Sequence, residues 1–411
     1  MRKMTYHALL ALSLLLAGCG RSPVTPAISA VASPTYAAPN ESAAASTAAP
    51  TESLPPTAAA TSAPVNVTSA PAKPTAPPRP APQELAFVRG GVVWSVPARG
   101  GEVRRLTTGK GASSPSWSPG GRAVAYIRLR GNSGGGALVL QLGGEGAREL
   151  LPGGVTQLAW SPGGARLAYT RTKDRDGDGR LRPETDESSV WVTAAGTGSA
   201  ARLAPGFDPS WAPDGRSVLL STPGRLVQGV PEQNELRLYP ASGGKSRTLS
   251  RTSDVPSDLR QYGTPFLAST RLLRYGVLSP DGETVAFSAL GGVGVLATKE
   301  LRGGKVQVQD TLPESGFGPI AWQPGGSRIA YDVPAPSGID IVTVLDLASG
   351  NRRSFEGYRQ PSWSPDGKSL AMVQTAEQQP RALVVVSPVE LGRPRRVVAG
   401  EVYSPTWSQA P

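Results

Sequence analysis

Residues 361–372 read PSWSPDGKSLAM. The start, 361–363, is a short extended run. Ser364-Pro365-Asp366-Gly367 is a turn: Ser suits its first position, Pro pre-sets φ at the second, and Gly relieves the backbone at the fourth. From Lys368 to Met372 polar and apolar residues alternate, the period of a half-buried strand. The phrase therefore encodes strand, tight turn, strand.

The phrase returns along the chain as PSWSPGGRAVAY (115–126), LAWSPGGARLAY (158–169), PSWAPDGRSVLL (209–220), GVLSPDGETVAF (276–287) and IAWQPGGSRIAY (320–331). In each copy a large apolar residue stands nine positions after the Trp, or after Leu278 where Leu replaces it. The residue before that partner is Ala in all but one copy, the exception being Leu219. A small side chain there lets neighbouring sheets approach closely. The phrase centres lie at 117, 160, 211, 278, 322, 363 and 407. Repetition at about 40–50 residues marks a repeat architecture, and four-stranded propeller blades are its usual all-β form. The two long intervals, 160–211 and 211–278, read as insertions. Each phrase is followed by another β run, a Gly turn and a last strand, as in ELRLYP, ASGGK and SRTL at 235–249.

The folded part is expected over 84–411. It starts in mid-repeat: Leu85-Ala86-Phe87 matches Val124-Ala125-Tyr126, with no Trp strand before it, while VYSPTWS (402–408) supplies such a strand at the other end. Pairing the two ends in one blade explains both truncations and removes open sheet edges. The expected fold is an all-β, seven-bladed propeller of four-stranded antiparallel sheets, closed by its N- and C-terminal strands. Six blades is the fallback, should the irregular 250–273 connection hide a misassigned one. The apolar run 284–298 is too short for a membrane span and is split into a hairpin at Gly291-Gly292.

Residues 1–18 form a charged start (Arg2, Lys3) and a short apolar run, the plan of a signal peptide. Leu16-Ala17-Gly18-Cys19 resembles a bacterial lipobox, which implies cleavage before Cys19 and lipidation of Cys19. More than one acyl chain is needed for stable anchoring, and the lipoprotein modification supplies them. From there to residue 83 the chain is dominated by Ala, Pro, Ser and Thr, which bury no core; 19–83 reads as a disordered tether, with a fully extended reach on the order of 200 Å at ~3.1 Å per residue. The expected address is extracytoplasmic, at a cell membrane.

The W-S-P-D/G-G-x-x-L/I-A-Y/F pattern resembles the WD-like propeller repeats of the C-terminal domain of TolB and its relatives, over about 84–411. The resemblance implies a fold and no particular activity. TolB's N-terminal α/β domain, used in its envelope role, has no counterpart in the low-complexity 20–83.

Composition restricts the chemistry. The one His is His7 and the one Cys is Cys19. The propeller region thus has no imidazole and no thiol, which excludes Ser-His-Asp and Cys-His catalysis and His- or Cys-ligated zinc. The G-x-S-x-G string at 131–135 has no base to serve it and reads as a turn. Carboxylate, Tyr, Lys, Arg and metal-assisted chemistry remain.

One metal motif stands out in KDRDGDGR (173–180). Asp174, Asp176 and Asp178 at positions 1, 3 and 5, with Gly179 at 6 and the Arg180 carbonyl at 7, follow the start of an EF-hand-type calcium loop. Position 12 is Thr185 rather than Glu, and the flanking runs read as strands. The segment resembles calcium hairpins inserted in some WD-like blades, which implies Asp186 as the closing acid, with Glu187 as second choice. The expected cofactor is a structural Ca2+; the alternative is a solvated turn neutralised by Arg175, Arg180 and Arg182.

Lys and Arg number 42 and Asp and Glu 31. The balance suits an anionic partner but shows no contiguous basic run of the kind nucleic-acid binders carry, and the preference for Arg over Lys reads as genome composition. The repeated Trp residues read as core packing. The expectation is a monomeric, lipid-anchored, non-catalytic propeller that binds a protein or an anionic polymer of the cell envelope. The alternative is a carboxylate-dependent lyase or glycosidase. Acidic, Tyr and Arg side chains converging at one channel mouth favour the alternative; a featureless mouth favours binding.

Overall fold

The computed structural model describes residues 83–131, 135–142, 146–227, 230–260, 272–313, 316–333, 339–375, 381–388 and 392–408. The expected signal segment, Cys19, the expected tether up to residue 82 and the centre of the 131–135 turn lie outside them. Among the described residues the chain forms seven four-stranded antiparallel units, with each phrase supplying the first two strands of one. Units are named here by the phrase residue they carry. In the Trp363 blade, for example, Tyr358–Trp363, Leu370–Gln374, Ala382–Val386 and Arg395–Ala399 pair in sequence order. The strand Ala147–Trp160 runs unbroken from the outer edge of the Trp117 blade into the inner edge of the Trp160 blade, joining these two units into one seven-stranded sheet.

The closing blade is assembled from both ends. Tyr403–Trp407 pairs with Glu84–Arg89, which pairs with Val92–Pro97 and then Arg104–Arg105. Its local chemistry repeats that of an uncut phrase. In four intact phrases the turn Ser (Ser118, Ser161, Ser279, Ser364) accepts at Oγ the N–H five residues on, at 2.9–3.1 Å. At the closure Ser408 Oγ accepts the Glu84 N–H at 2.8 Å, and the Ser408 N–H donates to the Glu84 carbonyl at 2.8 Å. The ends thus reproduce the contacts of a turn that the chain itself does not contain.

The core lies between blades. Among the described residues seven buried clusters occur, one at each interface. At each, the small residue of one phrase shares a cluster with the large residue of the next: Ala86 with Tyr126, Ala168 with Leu220, Ala286 with Tyr331, Ala330 with Met372. At the exception, Leu219 meets Phe287. Space comes from Gly276, where a Cβ would lie 3.1 Å from both Leu219 Cδ2 and Leu236 Cδ2. The other phrases carry Pro, Leu or Ile at that position.

The phrase Trp residues also clamp blade to blade. Indole N–H groups of Trp160, Trp211, Trp322, Trp363 and Trp407 donate to the inner-strand carbonyls of Ser116, Ala159, Val277, Ala321 and Ser362 in the preceding blade, at 2.8–3.2 Å. Leu278 has no such donor, and Trp117 Nε1 is buried without a partner among the described residues. Arginines staple the rim. Arg395 donates to the Ala98 and Arg99 carbonyls, Arg353 to those of Ser387, Pro388 and Gly392, and Arg148 to that of Ala195, each reaching a turn of the next blade. The five-donor guanidinium gives Arg a structural use here that a single ammonium does not match.

Both long intervals are insertions. One holds 174–186; the other holds a small hairpin, Arg225–Val227 with Val230–Glu232, and a 3-10 turn, Thr252–Asp254. Strands reach Arg251 and resume at Leu272, so the expected 250–273 connection is shorter than read. Its described start is packed, with Val255 and Leu259 in the Phe287 cluster. Among the described residues no helix is long and apolar enough to cross a membrane.

Candidate functional site

Antiparallel order sends the S-P-D/G-G turns to one end of the ring and the links between second and third strands, and between blades, to the other. The inner strands line a channel of about 660 Å³ to which all seven blades contribute. The end opposite the phrase turns gathers the unusual chemistry.

Strain comes first. Ser114, Asp208, Tyr275, Gln360 and Ser404 each stand three positions before their phrase residue and have φ between 47° and 57°. Left-handed backbone at non-glycine residues costs about 1–3 kcal/mol each, so the surroundings must enforce it. The ladder slips at each of these points, as in a β-bulge. Side chains of the preceding blade hold the turned backbone. Gln157 Oε1 accepts the Asp208 N–H at 2.8 Å, Asp208 Oδ2 the Tyr275 N–H at 3.2 Å, Asp332 Oδ1 the Gln360 N–H at 2.8 Å, and Gln360 Oε1 the Ser404 N–H at 2.7 Å. Polar residues recur at this position within apolar strands, a signal that the sequence reading passed over.

Asp208 and Arg274 form the most buried ionic pair at this mouth, with side chains 3% and 11% exposed. Arg274 Nε donates to Asp208 Oδ2 at 3.0 Å and Nη2 to Oδ1 at 3.1 Å, and Gln157 Nε2 also donates to Oδ1. The guanidinium stacks 4.6 Å from the Tyr275 ring centre and 5.4 Å from that of Phe207. Burial works against its charge, but Asp208 more than offsets this and leaves the Arg274 pKa raised. Glu184, from the inserted 174–186 loop, reaches the same guanidinium at 3.3 Å. Acid, Tyr and Arg side chains do therefore converge at one mouth. With four N–H groups donating to it, however, Asp208 has little capacity left to act as a base.

The loop brings three of the four expected carboxylates together. Oxygens of Asp174, Asp176 and Asp186 lie within 4.8 Å of one another. Asp174 accepts the Gly177 and Gly179 N–H groups at 2.7 and 2.8 Å, which hold its carboxyl below the usual range. Asp186 accepts those of Arg175 and Arg182 at 3.2 and 2.7 Å. Asp178 stands outside the trio: Arg182 Nη2 donates to it at 2.6 Å, and this pair lowers its pKa. The Arg180 N–H also bonds Asp178, at 2.8 Å.

Asp332 is the group that the sequence did not single out. It lines a cavity of about 430 Å³ with Tyr275, Phe317, Asp340, Arg359 and Gln360. Burial, reinforced by the Asp340 charge, pushes its carboxyl up to about 7; the Gln360 N–H and Arg359 only partly oppose this. The consequence for stability has a definite sign. Between pH 4 and 7 the unfolded chain loses this proton while the folded chain keeps it, so stability falls as pH rises through that window and levels off above 7. Asp332→Asn, which keeps an acceptor for Gln360, is expected to remove a fall of roughly 3 kcal/mol in urea titrations at pH 4.5 and 8.

No protein-family model matches the sequence, and no curated protein is similar to it. Solved structures are. TolB from Acinetobacter baumannii is 16% identical, with 80% of this chain and 67% of that one covered and a TM-score of 0.46. An oligogalacturonate lyase in complex with manganese is 13% identical over 72% and 82%, at 0.51. The dihydro-heme d1 dehydrogenase NirN is 15% identical over 80% and 77%, at 0.50. Likeness at such identities speaks for the fold and leaves the chemistry open. The chain is a β-propeller built from repeats that resemble those of TolB.

Proposed function

We propose that this chain is a lipid-anchored, extracytoplasmic binding module that takes a polymeric component of the cell envelope on the face opposite its phrase turns, without catalysis of its own. The observation that carries the reading is the ring of left-handed Ser114, Asp208, Tyr275, Gln360 and Ser404 at one mouth. Strain repeated at matched positions is retained where a surface must be held in one shape. The Asp208–Arg274 pair, saturated internally, supports a rigid rim rather than a reacting one. In this reading 1–18 is removed, Cys19 carries lipid, and 19–83 spaces the domain from the membrane. The test is fractionation of the full chain. Cys19→Ala should move it from the membrane to the soluble fraction. Tyr275→Ala with Gln360→Ala should abolish co-sedimentation with purified envelope polymer; unchanged co-sedimentation contradicts the reading, and retention only by envelope protein points to a protein partner.

A second reading, a carboxylate-dependent enzyme, is favoured by the convergence of acid, Tyr and Arg side chains at this mouth and by one further group. Asp332 is an acid held near neutrality beside a second carboxylate, Asp340, the arrangement general acid catalysis uses. Release of reducing or unsaturated ends from envelope glycans, lost in Asp332→Asn, would favour it.

We further propose a structural Ca2+ at Asp174, Asp176 and Asp186, with Asp178 and the Arg180 carbonyl completing an all-oxygen set suited to a hard cation. Arg182 competes with the ion for Asp178. Calcium is expected to raise Tm and shift the amide signals of 174–187. Arg182→Gln is expected to tighten calcium about two- to fivefold, as loss of a rival surface pair would. Unchanged Tm and signals on calcium titration contradict the site.

A further inference from the structure

We infer that the cavity between the Leu278, Trp322 and Trp363 blades is a subsite for one neutral sugar residue of a glycan; the inference rests on the binding-face reading above. At about 430 Å³ it is within the range of small-ligand pockets. Its walls mix aromatic and aliphatic surface, from Tyr275, Phe317 and Leu290, with polar groups of both kinds. Arg359 supplies donors: it lines the cavity, its side chain makes no hydrogen bond among the described residues, and its guanidinium lies 5.5 Å from the Tyr403 ring centre. A guanidinium carries five N–H donors, and those without a protein partner are open to an acceptor from a ligand. Asp332 has one oxygen bonded to the Gln360 N–H, and its other oxygen accepts no hydrogen bond among the described residues. Asp340 accepts no side-chain hydrogen bond among the described residues.

Charge selects between ligand classes. An anion meeting Arg359 also meets Asp340, and a cation drawn to Asp340 meets Arg359. Hydroxyl groups satisfy both, since each donates to a carboxylate and accepts from a guanidinium. A pyranose adds an apolar C–H face for the aromatic wall. Tyr275 lines this cavity and the channel alike, so a glycan lying across the mouth can place one residue in it.

The experiment titrates the full chain in detergent with maltotetraose, cellotetraose and chitotetraose, and with tetragalacturonate as the anionic comparison, by saturation-transfer NMR and calorimetry. At least one neutral tetrasaccharide should bind. Arg359→Lys, which keeps the charge and removes the forked guanidinium donors, should weaken it about tenfold or more, the cost of one lost charged hydrogen bond. Asp340→Asn should also weaken it, and serves if Arg359→Lys folds poorly. Binding of tetragalacturonate alone, of no neutral probe at millimolar concentration, or with affinity unchanged in both variants overturns the subsite. Envelope co-sedimentation that persists in either of the first two cases overturns the subsite alone; its absence in wild type overturns the binding face itself.

Discussion

A chain lacking residues 402–411 is expected to lose cooperative unfolding altogether. The deletion removes the inner strand of the closing blade, and with it Val402 and Trp407 from a buried cluster that also holds Leu85, Phe87 and Met372's neighbours Ala371 and Val373. Loss of a buried Trp alone costs about 3–5 kcal/mol, and whole domains hold only about 5–15 kcal/mol. The cut also exposes the edge of Glu84–Arg89 on one side and the Trp363 blade's face on the other, which invites pairing with a second chain. Ser408→Ala grades the effect: it deletes the Oγ that accepts the Glu84 N–H and should cost about 1 kcal/mol in urea unfolding. A truncated chain as stable as the full one would contradict the closed ring.

The second large effect is expected at Asp208. Asp208→Ala leaves the Arg274 guanidinium buried without its partner and the turned Tyr275 N–H without its acceptor. Removing one member of a buried pair costs about 3–5 kcal/mol. Asp208→Ala combined with Arg274→Met should recover much of that loss, because the stranded charge goes too. Urea midpoints of the two single variants and the double one form the cycle. The surviving Glu184 contact is too solvent-exposed to replace Asp208, so equal stability of Asp208→Ala and wild type would contradict this account of the mouth.

The fold was largely legible because its signal is covalent and local. Ser-Pro-Asp/Gly-Gly can make few things but a tight turn, and a Trp nine residues before a large apolar residue fixes two paired strands. The matching truncations at Leu85-Ala86-Phe87 and 402–408 disclosed the closure, which the Ser408–Glu84 pair now explains atom by atom. The site was legible only in part. Asp174, Asp176 and Asp186 lie in one loop, and their meeting follows from spacing and resemblance. Asp178 turns instead to Arg182, a choice between two neighbours that spacing does not decide. Asp332, Arg359 and Tyr275 come from three blades, and their meeting depends on ring geometry. Trp was read as packing, whereas its indole N–H also bonds the preceding blade. Arginine was read as composition, and the rim staples show a use that depends on where the next blade's carbonyls lie.

Native-state hydrogen exchange of the two terminal strands tests the closed ring most directly. The amides of Glu84–Arg89 and Tyr403–Trp407 that bond across the pair should exchange only through global unfolding, with one shared free energy. Fast exchange of either strand by independent fraying, as free chain ends show, would contradict it.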